Sequence, residues 1–310
     1  MPVLFDRLCL VGLGLIGASI ALAAREAGLV NTIVAVDADE GVCRRVGELG
    51  LADEITADAA AGAAGADCVI MCVPVGAIGS VAAQLGPALK PGAILSDVGS
   101  VKGVVLREGG PHVPAGVHFI PAHPVAGTEY SGPDAGLARL FRNRWCILTP
   151  PEGTEQAALD RLADFWRAMG ANVEFMGADH HDLVLAITSH VPHLIAYNIV
   201  GTAADLEAVT QSEVIKFSAG GFRDFTRIAA SDPTMWRDVF LNNKDAVLEM
   251  LGRFNEDLSA LQRMIRWGDG DGLHALFTRT RAIRRGIIAS GQETDAPDFG
   301  RQPGNAPKDS

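Results

Sequence analysis

Residues 8–28, LCLVGLGLIGASIALAAREAG, constrain the fold more than any other stretch of this chain. An apolar run ends in a G-x-G-x-x-G turn made by Gly12, Gly14 and Gly17, and the turn opens directly into an Ala-rich segment of helical period. Each glycine has its own reason. Gly12 permits the tight turn, Gly14 lets a pyrophosphate approach the backbone, and Gly17 lets the helix pack close to the strand. Leu15 and Ile16 begin that helix, whose N-terminus faces a phosphate. Twenty residues after Gly17, the run TIVAVD ends in Asp37, a carboxylate that can bind the ribose hydroxyls of NAD and repel the 2′-phosphate of NADP. Arg44 and Arg45 follow shortly and leave open a phosphate-holding alternative. A glycine-rich turn that binds nothing would need strand, glycines, helix and acid to fall in register by chance.

From Leu8 to about Gly177, short apolar runs alternate with longer helical stretches. LCLVG, TIVAVD, CVIMCVP, AILSDVG, HFIPAHP, WCILTPP and ANVEFMG read as strands, and their alternation with helices implies βαβ units in a doubly wound, mostly parallel sheet. From Asp179 onward the strand signal stops and apolar residues recur at three- and four-residue spacing. The expected organisation is a nucleotide-binding α/β domain over 1–178, an all-helical domain over 179–289, to which the resemblance described below adds substrate binding and dimerisation, and a disordered tail over 290–310, rich in Gly, Pro, Asp and Gln.

The chain carries a formal net charge of -11 and a pI near 5.2, which argues against nucleic acid or an anionic membrane surface as the main partner. No long purely apolar run and no basic leader precede the first strand, so a cytoplasmic protein is expected. Five cysteines without a CxxC pair read as reduced residues, and His180, His181, His190 and His193 lack a companion glutamate at ligand spacing, so no metal is expected.

Two segments fall where strands of such a sheet should end, which is where open α/β folds bind ligands. SDVGSVKG presents Ser100, and PAHPVAGTEYSG presents His123 between Pro121 and Pro124, as on a rigid loop, with Glu129 beyond. A neutral imidazole suits the removal of a hydroxyl proton during hydride transfer, and Ser100 can orient either the hydroxyl or the imidazole. A loop histidine that merely satisfies backbone carbonyls fits the same residues. In TSHVPHLIAYN, Ser189 and His193 share a helix face and Pro192 interrupts one backbone bond, with His193 read as a neutral or cationic donor to substrate and His190 as structural. GGFRDFTRIAASDPTMWRD, residues 220–238, gathers Phe222, Arg223, Phe225, Arg227, Trp236 and Arg237 in an acidic chain. Basic groups that converge in this way leave room for an anionic small molecule; Phe225 reads rather as core.

GLGLIGAS, DVGSVKG, HPVAGTEYSG, SHVPH and GGFRDFTRIAASDPTMWRD, in that order, closely resemble the prephenate/arogenate dehydrogenase family of tyrosine biosynthesis, over about residues 7–288. The resemblance implies NAD-linked oxidative decarboxylation of prephenate to 4-hydroxyphenylpyruvate and CO2, or of arogenate to tyrosine. It implies that His123 meets the ring hydroxyl, that Ser100 positions that hydroxyl, and that His193 and Arg227 hold carboxyl or carbonyl groups. A homodimer built through the helical domains is implied, with Trp236 near that interface and tyrosine as an inhibitor. A β-hydroxyacid dehydrogenase would carry a catalytic lysine early in its helical domain, which HDLVLAITSHVPH does not offer. A non-catalytic NAD sensor on the same scaffold would have little use for base, serine and arginine together.

Overall fold

A computed structural model describes residues 2–128, 130–210 and 219–289. Glu129 and the tail expected over 290–310 lie outside the described residues.

Strand β1 (Phe5–Val11) sits near the middle of a six-stranded, wholly parallel sheet, flanked by β2 (Val30–Val36) and β4 (Cys68–Met71). With β3 (Glu54–Thr56), β5 (Ile94–Asp97) and β6 (His118–Phe119) the order is β3-β2-β1-β4-β5-β6, that of a dinucleotide-binding fold. The pleat explains the unbroken apolar runs. Leu8, Leu10, Ile33, Ala35 and Ile70 enter one core, while Cys9, Val11, Val34, Val36, Val69 and Met71 enter a second core on the opposite face. The helices α1 (Leu15–Glu26), α2 (Glu40–Glu48), α3 (Ala59–Ala63), α4 (Ile78–Leu85) and α5 (Lys102–Gly109) connect the strands. Strand β3, only Glu-Ile-Thr and partly exposed, had no legible signal.

The run HFIPAHP, expected as one strand, belongs to two sheets. His118 and Phe119 extend the parallel sheet, and β7 (Ala122–Pro124) pairs antiparallel with β8 (Trp145–Leu148), which pairs parallel with β9 (Asn172–Phe175) across α6 (Gln156–Ala168). Pro121 cannot donate to the first ladder, and its carbonyl accepts from Thr149 of the second sheet, so the break falls there. His123 therefore lies on a buried strand of this second sheet, not on an exposed loop.

From Ala178 on, the described residues contain helices and turns only. Helix α7 (Ala178–Leu185) passes through a π-turn (Ala186–His190) into α8 (Val191–Thr210). The wider turn ends two residues before Pro192, which has no N–H to give and stands in the first turn of α8, where the sequence leads one to expect an interrupted helix. The segment 220–238 folds as α9 (Gly220–Thr226), a 3-10 turn (Arg227–Ala230) and the start of α10 (Pro233–Asn242), with Asp232 accepting from the N–H of Met235 and Pro233 at the first helical position. By compactness the chain divides after Val247. The unit Met1–Val247 carries both sheets and the helices through α10. The second unit holds most of α11 (Lys244–Trp267) and all of α12 (Gly270–Ala289), and it leaves Leu258, Ile265, Trp267, Phe277 and Ile283 exposed. The run Ala178–Leu206 is long and apolar enough to cross a membrane by length and composition, yet its buried positions include His181, Asp182 and His190.

Candidate active site

The nucleotide turn has the geometry its glycines suggest. Gly12 adopts φ +98°, and a Cβ there would stand 2.7 Å from the Cys72 carbonyl oxygen. A Cβ on Gly17 would stand 2.1 Å from the Gly12 carbonyl oxygen, so only glycine lets α1 lie this close to β1. Gly14, by contrast, opens onto free space and caps α1 without a side chain. Half-buried Leu15 and Ile16 form the first turn, whose N–H groups are available to an anion. Asp37 is held from below: its Oδ2 accepts from Leu13 N at 2.9 Å and its Oδ1 from Asp39 N at 3.0 Å. A carboxylate has about four acceptor positions, so capacity remains for ribose hydroxyls. Arg45 is taken up by Asp134 at 2.5 Å and Glu48 at 2.7 Å, which leaves Arg44 as the exposed arginine of the two. An open glycine, an uncapped helix and an anchored acid together fit a dinucleotide.

His123 stands beside the carboxyl end of β5. Its neighbour Ala122 donates its N–H to Asp97 Oδ1 at 3.2 Å and accepts from Lys102 Nζ at 2.6 Å. Lys102 and Asp97 form a fully buried ion pair at 2.5 Å, and Gly99 N also donates to Asp97. Burial pushes the Asp97 carboxyl up and the Lys102 ammonium down, each partly offset by the other's charge. The pair thus ties β5, the Gly99–Lys102 loop and β7 into one block that carries His123.

The imidazole's partner is His181. His123 Nδ1 lies 2.8 Å from His181 Nε2, and His181 Nδ1 lies 2.8 Å from Asp182 Oδ1. Asp182 also accepts from Lys102 N at 2.7 Å and Gly103 N at 2.8 Å. Burial pushes His123 well below the ordinary imidazole range, and the charges of His181, Lys102 and His190 add to that. His123 is therefore neutral at physiological pH. Ser100 is half-buried at the loop before α5, and its hydroxyl has no hydrogen-bond partner among the described residues, so it does not orient the imidazole.

His193 donates from Nδ1 to the carbonyl of Ser189 at 2.8 Å, not to its hydroxyl, and stacks on Trp236. This corrects the reading of a neutral His193 as a donor: with Nδ1–H engaged, a neutral ring offers only an acceptor at Nε2. Burial lowers its pKa, the Ser189 bond opposes that, and the charge of Arg227 lowers it further. Arg227 itself begins an exposed 3-10 turn. Phe222 is half-buried, while Phe225 is 42% exposed and not core, because short α9 buries none of its residues. His190 is wholly buried and accepts at Nδ1 from Asn243, which also donates to the Asp182 carbonyl.

His181, Asp182, Asp97, Lys102 and Asn243 were not singled out as site residues from sequence. The adjacent His-Asp of ADHHD and the Asp and Lys five apart in SDVGSVKG were the available signals; neither shows its partner until the sheets and α7 come together.

Residues 20–175 match the nucleotide-binding domain of prephenate dehydrogenase and residues 177–279 its dimerization domain. The chain is 42% identical to a cyclohexadienyl dehydrogenase of Zymomonas mobilis over 280 residues, covering 90% of this chain and 95% of that one. Among solved structures it resembles prephenate dehydrogenase from Aquifex aeolicus in complex with hydroxyphenyl propionate and NAD+, at TM-score 0.85 and 32% identity over 91% of this chain and 98% of that one. It also resembles Synechocystis arogenate dehydrogenase, at TM-score 0.77 and 28% identity over 91% and 99%. With residues 20–175 and 177–279 matched to its two domains and a 42% identical relative covered to 95% of its length, the chain belongs to the prephenate dehydrogenase family.

Proposed function

We propose that this protein is an NAD-dependent enzyme that converts prephenate to 4-hydroxyphenylpyruvate and CO2, and that it accepts arogenate as a second substrate. The observation that carries the reading is the buried, neutral His123, held by hydrogen bonds through Ala122 at the carboxyl end of β5. NAD, when bound, supplies the acceptor for the hydride of the carbinol carbon; Gly12, Gly14, Leu15, Ile16, Gly17 and Asp37 would hold it. His123 takes the hydroxyl proton at Nε2, the ring nitrogen without a protein partner among the described residues. Loss of the ring carboxylate then restores aromaticity, which makes the reaction effectively irreversible. Ser100 positions the hydroxyl with its own unengaged Oγ. Arg227 holds a substrate carboxylate in two-pronged geometry, Ser189, His193 and Trp236 line the remainder, and Glu129 is the candidate acid toward an ammonium.

Arogenate enters as a second substrate on one specific observation: the bare Nε2 of neutral His193 accepts hydrogen bonds, and an ammonium can give one. The exposed apolar side chains of α11 and α12 support a homodimer built through the helical part, and sedimentation showing only monomer would count against it. Five free cysteines fit a reducing cytoplasm, which fractionation of the native host would check. Tyrosine shares the product's ring and an amino-acid end, so we place its inhibition at the same contacts; inhibition not competitive with substrate would place it elsewhere. The central test is NADH formation from prephenate and from arogenate, each with NAD and NADP. No turnover of either substrate would overturn the proposal.

A further inference from the structure

We infer that His181 and Asp182 are positioning residues for His123, setting its tautomer so that the lone pair needed for proton removal sits on Nε2. The inference rests on the reading of His123 as the base. It comes from counting protons along the buried line Asp182, His181, His123, whose two side-chain contacts are each 2.8 Å.

Burial alone would raise the Asp182 carboxyl, but hydrogen bonds from His181 and from the N–H groups of Lys102 and Gly103 outweigh it and hold the group below the usual carboxylate range. Asp182 is thus ionised and can only accept. The Nδ1 of His181 must then carry a proton and donate it. Burial keeps His181 neutral, against the opposing pull of Asp182, so its Nε2 carries none and can only accept. The contact between the two rings therefore requires His123 Nδ1 to be the donor, and a neutral His123 is left bare at Nε2. Reversing any one proton would set two donors or two acceptors face to face inside the protein.

Asp182 is also the last fixed point of this line. It is anchored by the backbone N–H groups at the start of α5, so α7 reads its position from the loop that carries Ser100. When the substrate O–H breaks and the proton joins Nε2, the new imidazolium keeps its Nδ1–H bond to His181, whose far side already faces a carboxylate. The positive charge forms next to a prepared acceptor. This is the logic of a base oriented by a third group, here with one more imidazole in line.

The test compares His181→Leu, His181→Gln and His123→Asn in the full-length protein. His181→Leu removes the acceptor and should lower kcat about a hundredfold or more, within the range that general-base catalysis contributes, while KM for prephenate and NAD changes less than about threefold. His181→Gln keeps an acceptor for His123 Nδ1–H and should restore kcat to within about tenfold of wild type. Nitrogen-15 spectra of labelled histidine should show His123 protonated at Nδ1 in the wild type and shifted toward the Nε2–H form in His181→Leu. In the His123→Asn background, adding His181→Leu should cost nothing further, because the residues act as a unit. If His123→Asn abolishes turnover while His181→Leu leaves kcat and the spectrum unchanged, the positioning role fails and the base survives. If His123→Asn leaves kcat intact, the base assignment itself has failed. An equal loss from His181→Leu in both backgrounds would make His181 merely structural and would also overturn the inference.

Discussion

His193 lies flat on Trp236, with ring centroids 3.7 Å apart and planes inclined by 24°. Trp236 is 7% exposed and packs in turn on Phe240 at 5.5 Å, so the indole forms a fixed floor for the imidazole. Together with the Nδ1 bond to Ser189, the stack fixes both the plane and the rotation of the ring, leaving Nε2 as the ring nitrogen without a partner among the described residues. Replacing Trp236 by Leu should therefore raise KM for prephenate by about three- to tenfold, the equivalent of an aromatic pair worth about 0.5–1.5 kcal/mol. Trp236→Phe should recover most of it. Steady-state kinetics on both variants decide, and an unchanged KM in the Leu variant would show that the stack plays no part in substrate binding.

Arg227 stands at the first position of the 3-10 turn that follows α9. Arg227→Lys keeps the charge but loses the two-pronged grip, so KM for prephenate should rise on the order of tenfold, since a hydrogen bond to a charged group is worth about 1.5–3 kcal/mol. NAD affinity should hardly move. If both ligands weaken together, Arg227 serves the fold rather than the substrate.

Asp37 should set the preference for NAD. Asp37→Ser removes the charge that repels a 2′-phosphate and should narrow the NAD over NADP ratio of kcat/KM by about tenfold. Because Asp37 also anchors Leu13 N and Asp39 N, part of the change should be weaker binding of NAD itself. An unchanged ratio would move the determinant to Arg44, the exposed arginine beside it.

The buried pair of Lys102 and Asp97 makes a prediction about stability. Lys102→Met leaves the Asp97 carboxylate without its counter-ion and should cost about 3–5 kcal/mol in chemical denaturation. Adding Asp97→Leu should recover only part, because Gly99 N and Ala122 N then lose their acceptor. Full recovery in the double variant would mean that these backbone bonds contribute little to holding β7.

What was legible in the sequence follows from range. The strand, Gly12, Gly14, Gly17 and Asp37 lie within thirty residues and obey a periodicity, so the nucleotide fold could be read directly. His123, Ser100, His193 and Arg227 could be named through motif resemblance, but not their partners. His181 is 58 residues from His123, and Asp182 is 80 from Lys102. Contacts at that separation exist only after β7 leaves the parallel sheet at Pro121, a break hidden inside an apolar run that looks like one strand. Which nitrogen His193 presents was hidden for a related reason: it depends on the Ser189 carbonyl one helical turn away, inside a π-turn that hydrophobic spacing does not reveal.

With His193 placed beside the substrate as proposed above, that carbonyl should make the choice between prephenate and arogenate depend on pH. The two substrates differ where one carries a keto oxygen, which accepts, and the other an ammonium, which donates. Neutral His193 offers a lone pair at Nε2 and suits the ammonium; protonated His193 offers N–H and suits the keto oxygen or the neighbouring carboxylate. Burial, and behind it the charge of Arg227, holds His193 below the ordinary imidazole value of 6.5 despite the Ser189 bond, so the neutral form prevails at and above neutrality and the donor form grows as pH falls through the lowered value. The kcat/KM ratio of prephenate to arogenate should therefore rise as pH is lowered below 6.5. His193→Ala should flatten that dependence, costing arogenate more at about pH 8 and prephenate more at about pH 5.5. The measurement is both substrates at saturating NAD across that range, in wild type and variant. A ratio that varies with pH in the same way in the Ala variant would assign the discrimination to a group other than His193.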